Sequence, residues 1–248
     1  MSFTVRVVIQ ARVGSSRQPG KILAPLAGRP LLAHIVRRMR LAGMRTMAGY
    51  QVTVATTTAA ADDATESLCD ELGVPCFRGA TDDVLGRYVA ATDDLPDDAV
   101  IVRATADNPL YCPRRTVAIV DEHIRAAADY TCIQGLSYVV PEIIRAAALR
   151  TAGRSACDDY DREHVTPYLR SHPERFRAVQ LPPTWRGLRP DVLLTVDTPD
   201  QYARMADIFQ TFHLAGRTAS LEDVYAYCER HDRPLFAPAN VRPNNRAA

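Results

Sequence analysis

The chain has 248 residues, of which 47% are hydrophobic, and this is enough to bury one large α/β core. Its 30 basic and 29 acidic residues leave a formal net charge of +1 with no basic run, which argues against wrapping nucleic acid and favours a small anionic ligand held by local arginines. The six cysteines are scattered without a Cys-x-x-Cys pair, and Arg6 interrupts the N-terminal apolar run. We therefore expect reduced thiols in a cytoplasmic protein with no membrane span.

The first predicted strand, 3–9, runs into the loop 10–21, whose sequence is Gln-Ala-Arg-Val-Gly-Ser-Ser-Arg-Gln-Pro-Gly-Lys. Gly14 and Gly20 allow backbone N–H groups to approach a ligand closely. Hydroxyls and positive charges for a polyphosphate come from five further residues: Arg12, Ser15, Ser16, Arg17 and Lys21. The loop matches neither the Walker A motif nor the dinucleotide-binding motif, and an ordinary basic surface turn is the alternative interpretation.

Lysine usage supports a functional loop. Lys21 is the single lysine of the chain, and the other 29 basic residues are arginines. Arginine is a rigid planar fork and lysine a compact charge on a flexible stem, so a site that needs the second does not accept the first. We therefore predict a functional role for Lys21.

The next elements alternate between strand and helix. An amphipathic helix follows Pro30, a β-branched strand covers 50–56, and a helix ends near Gly73. A short strand, 74–79, carries Arg78, and a helix over 84–91 is capped by 81–83. The last amphipathic helix, 220–231, is predicted to begin at its cap, Ser220. Repeated βα units predict a mostly parallel sheet with helices on its faces.

Two aspartates follow predicted buried strands. Asp107 comes after the strand 98–103, and Asp197 after the strand 192–196. The carboxyl edge of a parallel sheet is where α/β proteins bind ligands, and carboxylates together with substrate phosphates suit Mg²⁺. We therefore predict both as magnesium ligands, with a turn-forming Asp107 and a helix-capping Asp197 as the structural alternatives.

These motifs resemble the CTP-dependent cytidylyltransferases, the group that contains CMP-sialate and CMP-Kdo synthetases. The segment 9–21 is most similar to the opening of the spore-coat polysaccharide branch. The segment 104–110 resembles the family's Thr-Gly-Asp-x-Pro-Leu, with Ala106 in place of glycine, and 162–168 matches Arg-Glu-His-Val-Thr-Pro-Tyr. The segment 196–200 resembles the start of Val-Asp-Thr-Pro-Glu-Asp.

The resemblance implies a three-layer α/β/α sandwich of the Rossmann-like nucleotide-diphospho-sugar transferase type. It implies one domain, 1–248, with a nucleotide-binding half (1–128), an acceptor or dimerisation region (129–190) and a C-terminal strand and helices (191–248). Catalysis is assigned to Arg12, Lys21, Asp107 and Asp197. Nucleotide binding is assigned to Gln10, Ala11, Arg12, Gly14, Ser15, Ser16, Arg17, Lys21, Arg78 and Thr105.

The resemblance weakens between 129 and 140, where Ser137 and Val139 stand at positions expected to be acidic. This leaves the acceptor and its binding residues undefined. A single helix through His164, Tyr168 and Leu169 is predicted, with His164 and Tyr168 on one face. The role of His164 is open between a general base and a part of a dimer arm or acceptor lid. A homodimer is expected by analogy.

The predicted reaction is the transfer of CMP from CTP to an oxygen of a small anionic acceptor, with Mg²⁺ as cofactor and release of pyrophosphate. The acceptor would be a sugar acid, a phosphate or a phosphonate. A nucleotide-sugar glycosyltransferase is the enzymatic alternative, although no Asp-x-Asp follows a predicted strand. A non-catalytic nucleotide-binding partner, suggested by the missing acids, is the other.

Overall fold

The computed structural model describes residues 3–14, 17–43, 49–135, 139–214 and 219–231. Predictions for Ser15, Ser16, Ser137 and the polar end of the chain lie outside these ranges. In the described ranges, no helix combines the length and apolarity that a membrane crossing demands.

The strands lie in chain order as follows: β1 (Val5–Gln10), β2 (Pro25–Leu26), β3 (Arg29–Pro30), β4 (Tyr50–Thr57), β5 (Cys76–Gly79), β6 (Val100–Thr105), β7 (Tyr130–Ile133), β8 (Glu142–Arg145) and β9 (Ala178–Leu181). Apart from the β2–β3 hairpin, the described strands form one sheet in the order β5-β4-β1-β6-β8-β7-β9. The pairs from β5 to β6 are parallel, β8 is antiparallel to both neighbours, and β9 is parallel to β7. The carboxyl ends of β1, β4, β5, β6 and β7 therefore meet at one edge.

The helices are α1 (Leu31–Gly43), α2 (Asp63–Glu71), α3 (Val84–Ala90), α4 (Pro113–Arg125), α5 (Ala146–Ser155), α6 (Asp159–His164), α7 (Pro167–Ser171), α8 (Pro199–Leu214) and α9 (Leu221–Arg230). The predicted caps form. Asp83 accepts a hydrogen bond from the backbone N–H of Gly86, and Ser220 forms a capping box with Asp223.

Two apolar cores cover the two faces of the sheet. Alternate β1 residues Val5, Val7 and Ile9 belong to the core that includes α1, α4, α8 and α9. Val8 points to the other core, which includes α3 and α5. The predicted three-layer sandwich with a mostly parallel sheet is therefore confirmed.

The predicted strand over 192–196 is wrong. This segment is extended, and Val192, Leu194 and Val196 are buried, but it joins no ladder. β6 already has β1 on one side and β8 on the other, so the segment has no free edge there. It pairs instead with a loop, since the Val196 N–H donates to the Asp107 carbonyl at 2.8 Å.

The single predicted helix through His164, Tyr168 and Leu169 is also wrong. The chain breaks into α6 and α7 at Val165, whose φ is +72°, a conformation that side chains branched at Cβ rarely adopt. His164 is exposed and Tyr168 is buried, so the two do not share a face. The proposed division into three regions, with boundaries at 128 and 190, stays a prediction.

Candidate functional site

The loop after β1 lies at the carboxyl edge of the sheet, and backbone hydrogen bonds hold it both to β4 and within itself. The Ala11 N–H donates to the Ala55 carbonyl at 3.1 Å, and the Gly20 N–H donates to the Val13 carbonyl at 3.0 Å. Gly20 has a φ of +74°, which explains the glycine. A Cβ at Gly14 would meet open space, so its predicted role depends on the approach of a ligand.

Asp62 anchors this loop, and the sequence interpretation missed it. It is 2% exposed, and its Oδ1 accepts a hydrogen bond from the Val13 N–H at 2.7 Å. The hydroxyls of Thr57 and Thr65 also donate to this carboxylate. The available signal was the acidic pair Asp62-Asp63 in the short connection between a strand and a helix.

Lys21 joins the loop to the segment before α8. Its side chain is 10% exposed, and its Nζ donates to the Val196 carbonyl at 2.6 Å and to Asp197 Oδ1 at 3.1 Å. Arg17 also pairs with Asp197 Oδ1, at 3.1 Å. Three of the predicted site residues therefore meet, and the carboxylate of Asp197 neutralises two cations of the loop.

Asp107 belongs to the same junction. Its backbone carbonyl accepts the bond from Val196, the residue before Asp197, and its Oδ1 accepts a hydrogen bond from the Thr105 hydroxyl at 2.6 Å. Buried Tyr111 supports this turn. Its hydroxyl accepts a hydrogen bond from the Thr105 N–H at 2.9 Å and also contacts the Thr105 hydroxyl. Two aspartates 90 residues apart in sequence are thus carried by directly bonded segments.

The donor set suits magnesium. Among the residues that the structure describes, no hydrogen bond reaches Oδ2 of Asp107 or Asp197, so each carboxylate keeps an oxygen for a cation. No cluster of three or more His, Cys, Asp or Glu side chains in these ranges can hold a metal. An ion here would take its remaining ligands from phosphates and water, as Mg²⁺ commonly does.

Arg78 lies apart from this junction and is engaged elsewhere. Its Nη1 contacts Asp63 at 2.7 Å and Glu66 at 2.8 Å, and its Nε and Nη2 donate to the carbonyls of Thr57 and Ala59. The guanidinium braces the connection between β4 and α2. Of the other predicted nucleotide contacts, Gln10 is partly buried, Ala11 is buried and Arg12 is exposed.

Glu142 is a second acid that the sequence interpretation missed. It is 6% exposed, and because β8 is antiparallel to β6 it lies at the edge where β6 ends. It pairs with Arg103 at 2.5 Å and accepts hydrogen bonds from the hydroxyls of Tyr130 and Thr166. Burial works against the charge of Arg103, but facing Glu142 outweighs it and raises the pKa of Arg103 above its ordinary value.

The segment with His164 is fixed on both sides of two exposed residues, Glu163 and His164. Arg162 pairs with Asp83 at the start of α3, and Thr166 bonds to Glu142. Between these anchors His164 is exposed, and its ring lies 4.4 Å from that of Tyr160, measured between centroids. Both anchors lie at the carboxyl edge of the sheet, but no described contact joins His164 to Asp107 or Asp197.

An apolar pocket lies beyond β6 at the same edge. It is lined by Ile133, Val139, Val140, Leu188, Val192, Tyr225 and Arg189. Ile133 ends β7 and Val192 leads to Asp197, so the pocket adjoins the junction on the side away from β4 and β5.

A glycine-containing loop after the first strand and two aspartates at the carboxyl edge of a sheet with helices on both faces are typical of Rossmann-like nucleotide-binding folds. A solved cytidylyltransferase from Leptospira borgpetersenii serovar Hardjo-bovis superposes with a TM-score of 0.80 and 25% identity, over 96% of this chain and 99% of that one. The fold is therefore that of the Rossmann-like nucleotidyltransferases.

The family model described as cytidylyltransferase matches residues 6–225. The chain is 34% identical over 205 residues to the spore coat polysaccharide biosynthesis protein SpsF of Bacillus subtilis, covering 82% of this chain and 85% of that protein. It is 38% identical over 133 residues to the 3-deoxy-manno-octulosonate cytidylyltransferase of Halorhodospira halophila, covering 52% of this chain and 47% of that enzyme. The chain belongs to the cytidylyltransferase family, as its motifs predict, and is a nucleotidyltransferase.

Proposed function

We propose that this enzyme transfers CMP from CTP to an oxygen of a small anionic acceptor and releases pyrophosphate. The observation that carries the proposal is the junction at which Lys21 bonds to Val196 and Asp197 while Val196 bonds to Asp107. It combines a cationic loop for a triphosphate with two carboxylates for a metal ion. Phosphoryl and nucleotidyl transfer need such positioning and charge neutralisation more than they need a protein nucleophile.

The loop holds the β- and γ-phosphates through charge and backbone N–H groups. Lys21 and Arg17 contact Asp197 in the structure. A bound triphosphate would share these two cations with the Asp197 carboxylate. A flexible ammonium in this position can bond to the carboxylate and to a phosphate oxygen together. The remaining contacts of the loop would come from Arg12, Gly14, Ser15 and Ser16.

Asp107 and Asp197 would hold the Mg²⁺ ion. When bound, this ion neutralises the charge that develops on the α-phosphate and orients the attacking oxygen. Thr105 orients Asp107 through its hydroxyl, and the backbone bond from Val196 to Asp107 joins the two segments that carry the carboxylates, which supports this assignment. The proposal of two carboxylate ligands agrees with the oxygens that both aspartates leave unpaired among the described residues.

The acceptor approaches from the side of β8 and β7. A sugar acid is the acceptor class that the name of the Halorhodospira halophila relative suggests. Support for this side comes from the apolar pocket at Ile133 and Val192 and from the exposed pair Glu163 and His164 between its two anchors. The enzyme is further proposed to act as a homodimer, for which sedimentation in solution is the direct measurement.

The test is a pyrophosphate-release assay with each of the four nucleoside triphosphates against sugar acids, sugar phosphates and phosphonates, with and without Mg²⁺. We expect release only with CTP, Mg²⁺ and one acceptor class. The Asp107→Asn variant should lose turnover about 100-fold or more with little change in folding, since it removes a metal ligand.

The matched control is Asp94→Asn, because Asp94 is exposed and pairs with Arg6 near the start of β1, at the opposite edge of the sheet. It should retain full turnover. Full activity of Asp107→Asn would refute the metal assignment. CTP binding without turnover across the whole acceptor panel would support the non-catalytic alternative.

A further inference from the structure

A buried arginine at the other end of the carboxyl edge has donors that no described residue uses. Arg87, in α3, is 1% exposed and donates one hydrogen bond, from Nη1 to the Ala80 carbonyl at 2.5 Å. Its Nε and Nη2 are buried and have no partner among the described residues. Unpaired donors of a buried charged group are costly, so a group retained in this state calls for a partner beyond the described residues, and a bound ligand would supply one.

The surroundings of Arg87 point toward the nucleotide. Burial lowers the pKa of Arg87, while Tyr88, Asp62 and Asp83 act to raise it and Arg12 acts to lower it. Its charged neighbours thus include Arg12 of the loop and Asp62, which accepts the Val13 N–H of the same loop. Its aliphatic stem packs under Gly79 at the end of β5, where a Cβ would come within 3.1 Å of Arg87 Cγ. The free donors therefore lie beside the connection between β5 and α3, at the same edge as the loop.

The path of the nucleotide along this edge follows from the proposed function, on which the inference rests. The triphosphate occupies the loop after β1, and the metal ligands lie beyond β6. The acceptor must reach the α-phosphate from the side of β8 and β7. The nucleoside is then left with the opposite side, over β4 and β5, where Arg87 lies.

The free donors of Arg87 match one pyrimidine. Nε–H and Nη2–H lie on one edge of the guanidinium and form a fork that binds two adjacent acceptors. Cytosine presents its O2 and N3 as adjacent acceptors, whereas N3 of uracil carries a hydrogen and would face a donor. Arginine uses the same fork for the two adjacent acceptors of guanine in DNA.

Gln10 offers the complementary group. Two residues after Val8 on β1, it lies on the face of the sheet that packs against α3, and its Oε1 is buried without a partner among the described residues. An acceptor there suits the exocyclic amine of cytosine. We propose that Arg87 selects cytosine over uracil by donating two hydrogen bonds to O2 and N3 of the base.

The proposal is tested by calorimetric binding of CTP and UTP, with Mg²⁺ and without acceptor, to the wild type and to Arg87→Met and Arg87→Lys. We expect the wild type to bind CTP more tightly than UTP, and Arg87→Met to lose about 10- to 100-fold in affinity for CTP but little for UTP. Arg87→Lys should lose most of the preference, because an ammonium does not reproduce the fork. The control is Arg150→Met, whose partly buried guanidinium bonds to Leu95 and Asp97 near the start of β6, and it should keep the wild-type ratio.

A ligand-side measurement keeps the proposal falsifiable if the Arg87 variants fail to fold. In 3-deazacytidine triphosphate a C–H group replaces N3. The wild type should bind it about 10-fold or more weakly than CTP, and Arg87→Met should bind both equally. Equal affinity of the wild type for the two nucleotides would overturn the assignment.

The two possible failures are distinguishable. A folded Arg87→Met variant that keeps the wild-type ratio of CTP to UTP affinity overturns the assignment of Arg87 alone, as does a wild type that binds CTP and UTP equally. A wild type that binds no CTP overturns the proposed function and the inference with it.

Discussion

Single side chains in this enzyme show how burial sets chemistry. His123 in α4 is 3% exposed, and its Nδ1 lies 2.9 Å from the Thr131 hydroxyl. Burial lowers the pKa of His123 to about 4, with a smaller contribution from Arg145. The folded protein therefore holds this imidazole neutral at pH values where the unfolded chain protonates it.

We expect His123 to make the free energy of unfolding decrease as the pH falls below about 6.5. Above pH 6.5 the imidazole is neutral in both states and has no effect. As the pH falls from about 6.5 toward 4, His123 binds a proton in the unfolded state but stays neutral in the folded state. The free energy of unfolding therefore decreases by up to about 3 kcal/mol. Urea unfolding at pH 7.5 and 4.5 measures the loss, and His123→Gln should show a smaller one. An equal loss in both proteins would mean that other groups cause it.

Missed residues at this scale share one property. Asp62, Arg87 and Glu142 are nearly fully buried charged side chains, at 2%, 1% and 6% exposed. In the sequence each looks like a common solvated residue of a helix or strand end. Only the packing around them shows that these charges are buried.

At the scale of elements, the loop after β1 depends on the connection between β4 and α2. Asp62 lies in a short 3₁₀ turn before α2 and accepts the Val13 N–H, so a neighbouring βα unit determines the shape of the loop. The segment of α6 and α7 is held in the same way, by Arg162 on Asp83 and by Thr166 on Glu142. Both functional segments are thus positioned by elements distant in sequence.

Replacing Asp62 with alanine should release the loop. The Val13 N–H and the hydroxyls of Thr57 and Thr65 would lose a charged acceptor, with a cost of about 2–3 kcal/mol in the free energy of unfolding. We expect about 10-fold weaker CTP binding and faster tryptic cleavage after Arg12 and Arg17, measured by calorimetry and by mass spectrometry of timed digests. The control Asp70→Ala, on the exposed side of α2, should behave as the wild type. Unchanged cleavage in Asp62→Ala would show that the loop holds its shape alone.

At the scale of the whole molecule, Lys21 connects parts of the chain that are 175 and 176 residues apart. It ties the loop near the N-terminus to the segment that enters α8, and so closes the site between the first strand and the later helices. Because the contact is buried and charge-assisted, it contributes to folding, and under the proposed function Lys21 also contributes to nucleotide binding.

The two roles of Lys21 can be separated by substitution. Lys21→Met should lower the free energy of unfolding by about 2 kcal/mol, because Asp197 and the Val196 carbonyl lose their buried donor. Lys21→Arg keeps the charge but not the compact head, and we expect it to retain more of the stability than of the CTP-induced rise in Tm. Calorimetric melting with and without CTP and Mg²⁺ gives both quantities. A Lys21→Arg variant with the full CTP-induced rise would argue against a specific role for lysine.

Much of the architecture could be predicted because it depends on local patterns. Alternating strands and amphipathic helices predict the layers, and the caps at Asp83 and Ser220 form as expected. The strand over 192–196 and the helix through His164 failed for the same reason. A sequence pattern shows that a segment is apolar or periodic, but not whether a sheet edge is free or whether a residue such as Val165 must take a positive φ.

By itself, the sequence determined the fold class, the family and the set of charged residues from which a site could be built, because these depend on periodicity and on motifs of adjacent residues. The tertiary structure alone decided which charges meet. It joined Lys21 to Asp197, placed Asp107 beside Val196, occupied Arg78 with Asp63 and Glu66, and left Arg87 with donors that no described residue uses. Such pairings depend on how distant segments pack, and sequence separation carries no information about that distance.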